Sequence, residues 1–244
     1  YQPKIDIANG AVAGCEALVR WKRADGMWIP PSVFIPLAEE TGLVRRLDMY
    51  VLRKACRQQR EWREQGLGNV HMAVNMSGRS IIAETFVDDV LDVLGREDVR
   101  PEHLGIEITE TAFMSNMAEA SRGIAALSEQ GIQIYLDDFG TGYSSLYYLH
   151  TMPIASLKID KSFIDGINAP LNASNELVKT VLTLASGLGM ATVAEGVETR
   201  EQIDFLAENG CSAIQGYIFS QALSGSDFAT YLKGSAESIA AVMA

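Results

Sequence analysis

The chain has 244 residues and a formal net charge of −11, and 48% of its residues are hydrophobic and 21% charged. This composition is typical of a folded globular protein, and the acidic balance argues against a general binder of polymeric nucleic acid. The three cysteines, Cys15, Cys56 and Cys211, form no CxxC pair, so neither a disulfide framework nor a zinc ribbon is expected.

Short apolar or alternating runs take turns with longer helical stretches, which is the pattern of βα units around a parallel sheet. The predicted strands are 2–7, 12–21, 70–75, 104–109, 133–137, 155–160, 191–195 and 212–216. The predicted helices are 31–41, 44–65, 81–94, 116–130, 143–150, 175–188, 200–208 and 225–233. The tight Ala8-Asn9-Gly10 connection indicates a hairpin, so one strand should run antiparallel to the rest. We therefore predict one α/β domain over residues 1–244, a modified (β/α)₈ TIM-like barrel.

No run of about 18 apolar residues is present, so this segment predicts no membrane contact. The chain begins without Met, in a stretch that already has the pattern of a strand. We expect a cytoplasmic module from a longer protein, which could itself be anchored to a membrane through other segments.

Polar residues recur at or near the carboxyl ends of most predicted strands, where the chemistry of a barrel gathers. They are Glu16, Asn75, Glu107, Asp137, Lys158, Glu195 and Gln215. Any one of them could be an ordinary rim or core residue. As a set, together with Asp138, they hold five carboxylates, and two carboxylates about 4 Å apart repel by roughly 4 kcal/mol at an effective dielectric constant near 20. Lys158 and Arg20 cannot neutralise five carboxylates.

The set predicts a divalent-metal site, because oxygen ligands alone suit Mg²⁺, Mn²⁺ or Ca²⁺. The histidines His71, His103 and His150 form no HxH or HExxH pattern, which disfavours a zinc hydrolase. The glycine-rich stretch 139–145 lacks the Gly-Lys-Ser/Thr of a P-loop, so nucleoside triphosphate binding is not expected.

The motifs resemble those of the EAL-domain cyclic-di-GMP phosphodiesterases over nearly the whole chain. Glu16-Ala17-Leu18 resembles the tripeptide that names the family, and residues 137–146, DDFGTGYSSL, resemble a far more specific block. Further blocks follow in the family's order: FIPLAEETGL at 34–43, VNMS at 74–77, IEITE at 106–110, LKID at 157–160, AEGVET at 194–199 and QGYIFS at 215–220. One departure is the absence of the proline that usually follows the last block; we expect it to affect rigidity and not chemistry.

The resemblance implies hydrolysis of cyclic di-GMP to linear 5′-pGpG with two Mg²⁺ or Mn²⁺ ions, and it implies that Ca²⁺ inhibits. In bacterial signalling this reaction would lower the concentration of the messenger. Implied metal ligands, direct or through water, are Glu16, Asn75, Glu107, Asp137, Asp138 and Glu195. Catalytic roles fall to Lys158, which would orient or help activate the attacking water, and to Glu16, Asp137 and Glu195. Whether a carboxylate such as Glu195 or a metal-bound hydroxide is the general base stays open.

Other roles are also implied by the resemblance. Glu198 and Gln215 would complete the outer shell around the water of the metals, and Glu110 would anchor the lid loop after the fifth predicted strand. The implied substrate contacts are Gln2, Leu18, Arg20, Asp160, Phe219 and Arg79. For three of these an ordinary role fits too: Asp160 could cap the next segment, Phe219 could pack at the rim, and Arg79 could be solvated.

A homodimer through the segment after Asp138 is implied as well, and so is a flanking sensor or GGDEF-like domain in the full-length chain. The stripe of Tyr143, Tyr147 and Tyr148 in that segment fits core packing as well as dimerisation. The intact set of acidic and lysine positions favours an active enzyme over a receptor that binds cyclic di-GMP without cleaving it. An unrelated Mg²⁺-dependent barrel is the third alternative.

Overall fold

The computed structural model of the protein describes residues 1–115, 117–140, 146–167 and 174–243. Its strands are β1 Gln2–Asp6, β2 Val12–Ala17, β3 Trp21–Lys22, β4 Trp28–Ile29, β5 Met72–Asn75, β6 Leu104–Thr109, β7 Gln133–Phe139, β8 Ser156–Ile159, β9 Ala191–Glu195 and β10 Ala213–Gln215. Its helices are α1 Pro31–Glu40, α2 Val44–Glu64, α3 Gly78–Ile81, α4 Phe86–Glu97, α5 Glu110–Ser115, α6 Met117–Glu129, α7 Leu146–Thr151, α8 Lys161–Ile164, α9 Ser174–Gly187, α10 Arg200–Glu208 and α11 Gly225–Met243, with a 3₁₀ turn at Pro101–His103.

Eight strands close into a barrel in the order β1-β10-β9-β8-β7-β6-β5-β2. β1 runs antiparallel to both of its neighbours, and the other neighbouring strands are parallel. The β1–β2 connection is the predicted hairpin: the Asp6 carboxylate accepts from the backbone N–H groups of Ala8 and Asn9, and Gly10 takes a φ of +64°. The predicted barrel with one antiparallel strand is confirmed.

Strand alternation divides the buried residues between the helix layer and the barrel interior. In β6, Ile106 and Ile108 belong to the main hydrophobic core, while Glu107 between them is fully buried among charged partners. The helices cover the outer faces of the strands; along α2, for example, Leu52, Cys56 and Trp62 are completely buried. This core fixes the strands and so fixes which side chains meet inside the barrel.

Several element boundaries differ from the predictions. The second strand ends at Ala17 and not at 21, because Trp21–Lys22 pairs with Trp28–Ile29 in a separate two-stranded sheet. The predicted helix 81–94 is observed as α4, which begins only at Phe86. Ile81 instead ends the separate short helix α3, whose cap Ser77 accepts from Ser80 N. The last helix continues past 233, and its buried Ile239 shows that packing outweighs the cost of the glycine within it.

Short elements were missed at Glu110–Ser115 and Lys161–Ile164. Residues 143–145 of the predicted helix 143–150 lie outside the described residues, and the helix is observed over Leu146–Thr151. Among the described helices, none combines the length and the apolar character needed to cross a membrane.

Candidate active site

The ammonium group of Lys158 lies at the centre of a buried acidic cluster. Lys158 is 1% exposed, and its Nζ lies 2.5 Å from Glu195 Oε1 and 2.7 Å from Glu107 Oε2. Asp137 Oδ2 follows at 3.1 Å and Glu16 Oε2 at 3.4 Å. Burial alone would lower the pKa of Lys158, but the four carboxylates raise it well above its ordinary value. Five strands of the barrel therefore deliver one cation and four carboxyl groups to one point.

A second buried lysine, which the sequence analysis missed, lies on the other side of Glu107. Lys4 in β1 places its Nζ 2.5 Å from Glu107 Oε1 and 4.9 Å from the centre of the Tyr135 ring. Burial and the Glu16 charge raise the pKa of Glu107, and the two lysines oppose that rise. The signal for Lys4 was the alternation of β1, since residues two apart share a face and Gln2 was already assigned to the site.

Amide side chains hold Glu16 in place. Asn75 Nδ2 donates to Glu16 Oε1 at 2.6 Å, and Gln215 Nε2 donates to Glu16 Oε2 at 2.8 Å and to Gln2 Oε1 at 3.1 Å. Burial raises the pKa of Glu16, but the two lysines and these hydrogen bonds outweigh it and lower the value to about 2. Glu16 is therefore a fixed anion, and Gln2, which pairs with it across β1 and β2, is buried as well.

The paired aspartates stand at an irregularity in β7. The register of β7 against β8 shifts between Leu136 and Phe139, and Asp138 takes a φ of +54°. A regular strand would send two adjacent side chains to opposite faces, so this bulge allows both carboxylates to serve the same end of the barrel. Gly140, with a φ of +95°, also takes a left-handed backbone conformation. Burial and the nearby Asp137 charge raise the pKa of Asp138.

Glu195 ends β9 beside Lys158, with 21% of its side chain exposed. Burial raises the pKa of Glu195, the Asp137 and Glu16 charges add to the rise, and Lys158 opposes it, with the result at about 8. The pKa values of Glu16 and Glu195 are therefore shifted in opposite directions, the first lowered and the second raised. Two carboxyl groups with separated pKa values in one site are a common basis of acid–base chemistry.

Glu110 contacts the start of the loop after β7. It is 2% exposed, and its Oε2 accepts from Gly140 N at 3.1 Å. This is the position predicted for the loop anchor. The loop residues 141–145, and the side chains of Tyr147 and Tyr148 in the predicted dimer segment, lie outside the described residues.

Three predicted residues make their described contacts outside the Lys158 cluster, although the charge of Asp160 contributes to the raised pKa of Asp138. Glu198 is exposed, and its Oε1 pairs with Lys161 Nζ at 2.8 Å. Asp160 caps α8 by accepting from Ser162 N at 3.0 Å, which is the alternative role considered for it. Phe219 is partly buried against the second hydrophobic cluster, as a packed rim aromatic would be.

The remaining predicted substrate residues lie outside the cluster as well. Leu18 is partly buried just beyond β2, whereas Arg20 and Arg79 are exposed. Arg20 borders an open groove of about 1260 Å³, whose other lining residues include Trp21, Trp28 and Tyr50. The guanidinium of Arg20 donates only to the neighbouring Val19 carbonyl among the described contacts, so it is available to an anion at this edge.

The cluster fits divalent cations by its donor chemistry. Its donors are oxygens throughout, and five carboxylates (Glu16, Glu107, Asp137, Asp138 and Glu195) face two buried lysines. The negative charge in excess contributes to the raised pKa values of Glu107, Asp138 and Glu195. Gln215 Oε1 is also buried without a hydrogen-bond partner among the described atoms. Within the described residues, no three His, Cys, Asp or Glu side chains are arranged so that they could hold a metal ion. The Lys158 ammonium lies between the carboxylates instead.

Comparisons with known proteins agree on one family. The model of the EAL domain matches residues 1–222. The chain is 40% identical over 221 residues to the bifunctional diguanylate cyclase/cyclic di-GMP phosphodiesterase MucR of Pseudomonas aeruginosa, covering 91% of this chain and 32% of that protein. It is 36% identical over 228 residues to the probable cyclic di-GMP phosphodiesterase PdeB of Escherichia coli, covering 93% of this chain and 43% of that protein.

A solved structure of the MucR phosphodiesterase in complex with c-di-GMP superposes with a TM-score of 0.89 at 38% identity. The match covers 93% of this chain and 92% of the chain in that complex. The EAL domain of Mycobacterium smegmatis DcpA gives a TM-score of 0.81 at 32% identity, with 96% of each chain covered. The chain spans well under half the length of the curated relatives, 32% of MucR and 43% of PdeB.

Proposed function

Because the chain belongs to the EAL domain family, we propose that it is a phosphodiesterase that hydrolyses cyclic di-GMP to the linear dinucleotide 5′-pGpG. The relatives named as cyclic di-GMP phosphodiesterases support the substrate. The acidic cluster around Lys158 supports the reaction, because a receptor that only binds the nucleotide has no physical need for so many buried carboxylates.

Two divalent cations, Mg²⁺ or Mn²⁺, would be held in the cluster by Glu16, Asn75, Glu107, Asp137, Asp138 and Glu195. When bound, such ions neutralise the phosphodiester and acidify a water molecule. Support comes from the oxygen-only donors and from the excess of carboxylates over lysines. Ca²⁺ would bind the same oxygens with looser geometry, and we expect it to inhibit.

The side chains of the chain would divide the remaining work. Glu16, held ionised by Lys158 and Lys4 and by the hydrogen bonds of Gln215 and Asn75, would provide a fixed negative charge. Lys158 would hold the attacking water and stabilise the charge that grows on the phosphoryl oxygens. Glu195, whose carboxyl group lies beside Lys158, would receive a proton from that water in its ionised form.

The substrate would enter from the end of the barrel at which β2 and β9 finish. Arg20 would meet a phosphate there, since a guanidinium binds phosphate oxygens with two parallel hydrogen bonds. Leu18, Asp160, Phe219 and Arg79, which follow β2, β8, β10 and β5 in the chain, would contact the substrate at the same end. Glu198 would join the outer shell only once its ion pair with Lys161 is broken. The predicted homodimer, the flanking domain and the cytoplasmic location stay predictions.

The observation that carries the proposal is the convergence of four carboxylates from four strands on Lys158, within a chain of this family. The test incubates the purified protein with cyclic di-GMP and Mg²⁺ and separates the products by ion-pair chromatography. Glu16→Ala is the test variant, and Glu102→Ala, which removes an exposed acid paired with Arg100, is the matched control.

We expect linear dinucleotide from the wild type and from Glu102→Ala, and none from Glu16→Ala. Tight binding of cyclic di-GMP without turnover, even with Mn²⁺, would show that the protein is a receptor and not an enzyme. If cyclic di-GMP neither binds nor is cleaved, the proposed activity is wrong and only the barrel fold stands.

A further inference from the structure

One buried carboxylate outside the Lys158 cluster belongs to a helix that packs around the barrel, not to a barrel strand. Asp48 in α2 is 8% exposed, and its Oδ2 accepts from Ser77 N at 3.0 Å, Ser77 Oγ at 2.6 Å and Ser80 Oγ at 2.6 Å. Three donors on one oxygen make this an unusually complete anchor. The predicted functional residues do not include it.

The anchored segment is the one that follows Asn75. Asn75 ends β5, Met76 N donates to the Glu107 carbonyl at 2.9 Å, and Ser77 then caps α3. The connection is therefore tied to β6 on one side and to α2 on the other. Asn75 is the residue whose amide donates to Glu16 at 2.6 Å, so the orientation of Glu16 depends on where this connection lies.

Packing alone does not require a charged group at position 48. The neighbours of Asp48 on the buried face of α2, Val44 and Leu52, are apolar and pack in the core. A buried carboxylate is costly unless its hydrogen bonds are satisfied, and here both serines point their hydroxyl groups at it. The arrangement fixes the backbone at Ser77, two residues from Asn75, and not merely the helix layer.

We propose that Asp48 is a positioning residue for Asn75: through Ser77 and Ser80 it holds the β5–α3 connection so that the Asn75 amide reaches Glu16. The effect on catalysis rests on the proposed phosphodiesterase function; the effect on the position of Asn75 does not. A displacement of about 1 Å in such a group can cost about a hundredfold in rate.

A double-mutant cycle separates positioning from stability. Asp48→Ala is expected to lower kcat for cyclic di-GMP by about 10- to 100-fold and to raise the Mg²⁺ concentration for half-maximal activity. In an Asn75→Ala background the same change should have almost no further effect, because the group that it positions is gone. Asp48→Asn, which keeps an acceptor oxygen, should recover part of the activity, and Ser80→Ala provides a milder variant if Asp48→Ala folds poorly.

Glu97→Gln is the matched control. Glu97 is a similarly buried carboxylate that ties α4 to α2 through Arg60 at 2.6 Å, away from Asn75. The effect of Glu97→Gln on kcat should be the same in the Asn75→Ala background as in the wild type, so that the two effects are additive. An Asp48→Ala effect that is equally additive would overturn the proposal.

A readout that needs neither nucleotide nor turnover completes the test. The side-chain NH₂ signals of Asn75 are assigned in a ¹⁵N-correlation spectrum by their loss in Asn75→Ala. These signals should shift in Asp48→Ala and stay in place in Glu97→Gln. If the wild type proves inactive, the proposed function fails while the shift still supports positioning; unshifted signals in a folded Asp48→Ala protein refute the positioning role.

Discussion

Lys158 is the residue whose removal tests the electrostatics of the barrel most severely. In Lys158→Met the volume is nearly kept, but Glu16, Glu107, Asp137 and Glu195 lose the ammonium that lies 2.5–3.4 Å from each of them. Removing one partner of a buried ion pair costs about 3–5 kcal/mol. For a domain of this size each kcal/mol lowers Tm by roughly 2–4 °C, so we expect a loss of about 10 °C in the metal-free protein.

The loss should depend on pH, because protonation removes the repulsion between the carboxylates. We expect a larger loss of Tm at pH 8.5, where Glu195 is ionised, than at pH 5.5, where burial and its acidic neighbours keep it protonated. The assay is thermal unfolding in EDTA at both pH values. Added Mg²⁺ should raise the Tm of the variant more than that of the wild type, since a cation replaces the missing charge.

Lys179→Met is the matched control, because Lys179 pairs with Glu176 on the exposed face of α9 at 3.0 Å. Such a surface pair contributes at most about 1 kcal/mol. If Lys158→Met at pH 8.5 is no less stable than Lys179→Met, then the carboxylates do not depend on Lys158 and the account of the cluster is wrong.

Three further predictions concern stability in EDTA. Because the pKa of Glu195 is raised, its contribution to the free energy of unfolding is full below about pH 4.5 and is lost as the pH rises to about 8, at up to ~1.4 kcal/mol per pH unit. Glu195→Gln should flatten this dependence of the unfolding free energy on pH, measured by urea titration. An unchanged slope would contradict the raised pKa. Gly216→Ala would place a Cβ 1.9 Å from the Val197 carbonyl oxygen and should cost about 2–3 kcal/mol in urea unfolding, whereas Gly187→Ala, with no atom within 4 Å, should cost nothing; equal effects would refute the close approach. Glu198→Ala should change the free energy of unfolding by less than about 0.5 kcal/mol, because its partner is a surface lysine, and a loss above about 1.5 kcal/mol would contradict that placement.

The ring of polar side chains could be predicted from sequence because strand alternation is a local pattern. Once Glu107 is placed between two isoleucines, its direction into the barrel follows from the period of two. The same rule applied to β1 would have found Lys4. That lysine was missed because only the bounds of the first strand and its hairpin were predicted, and its interior face was not worked out.

Other features had no local signal. Asp138 adopts a left-handed backbone conformation that non-glycine residues rarely take, and the local sequence does not predict it. The pair between Lys161 and Glu198 joins residues 37 positions apart, so it depends on how α8 meets the end of β9. The short helix α3 was missed for a similar reason, since its cap Ser77 is held by Asp48, a residue 29 positions away in α2.

The central claim is that this buried acidic cluster cleaves a phosphodiester with water. The most direct measurement is turnover of cyclic di-GMP in H₂¹⁸O with Mg²⁺, with the product analysed by mass spectrometry. The account predicts linear 5′-pGpG with one ¹⁸O in its terminal phosphate, and no product when the metal is chelated. Cyclic di-GMP that binds the protein and is recovered intact, with Mg²⁺ or with Mn²⁺, would contradict the claim.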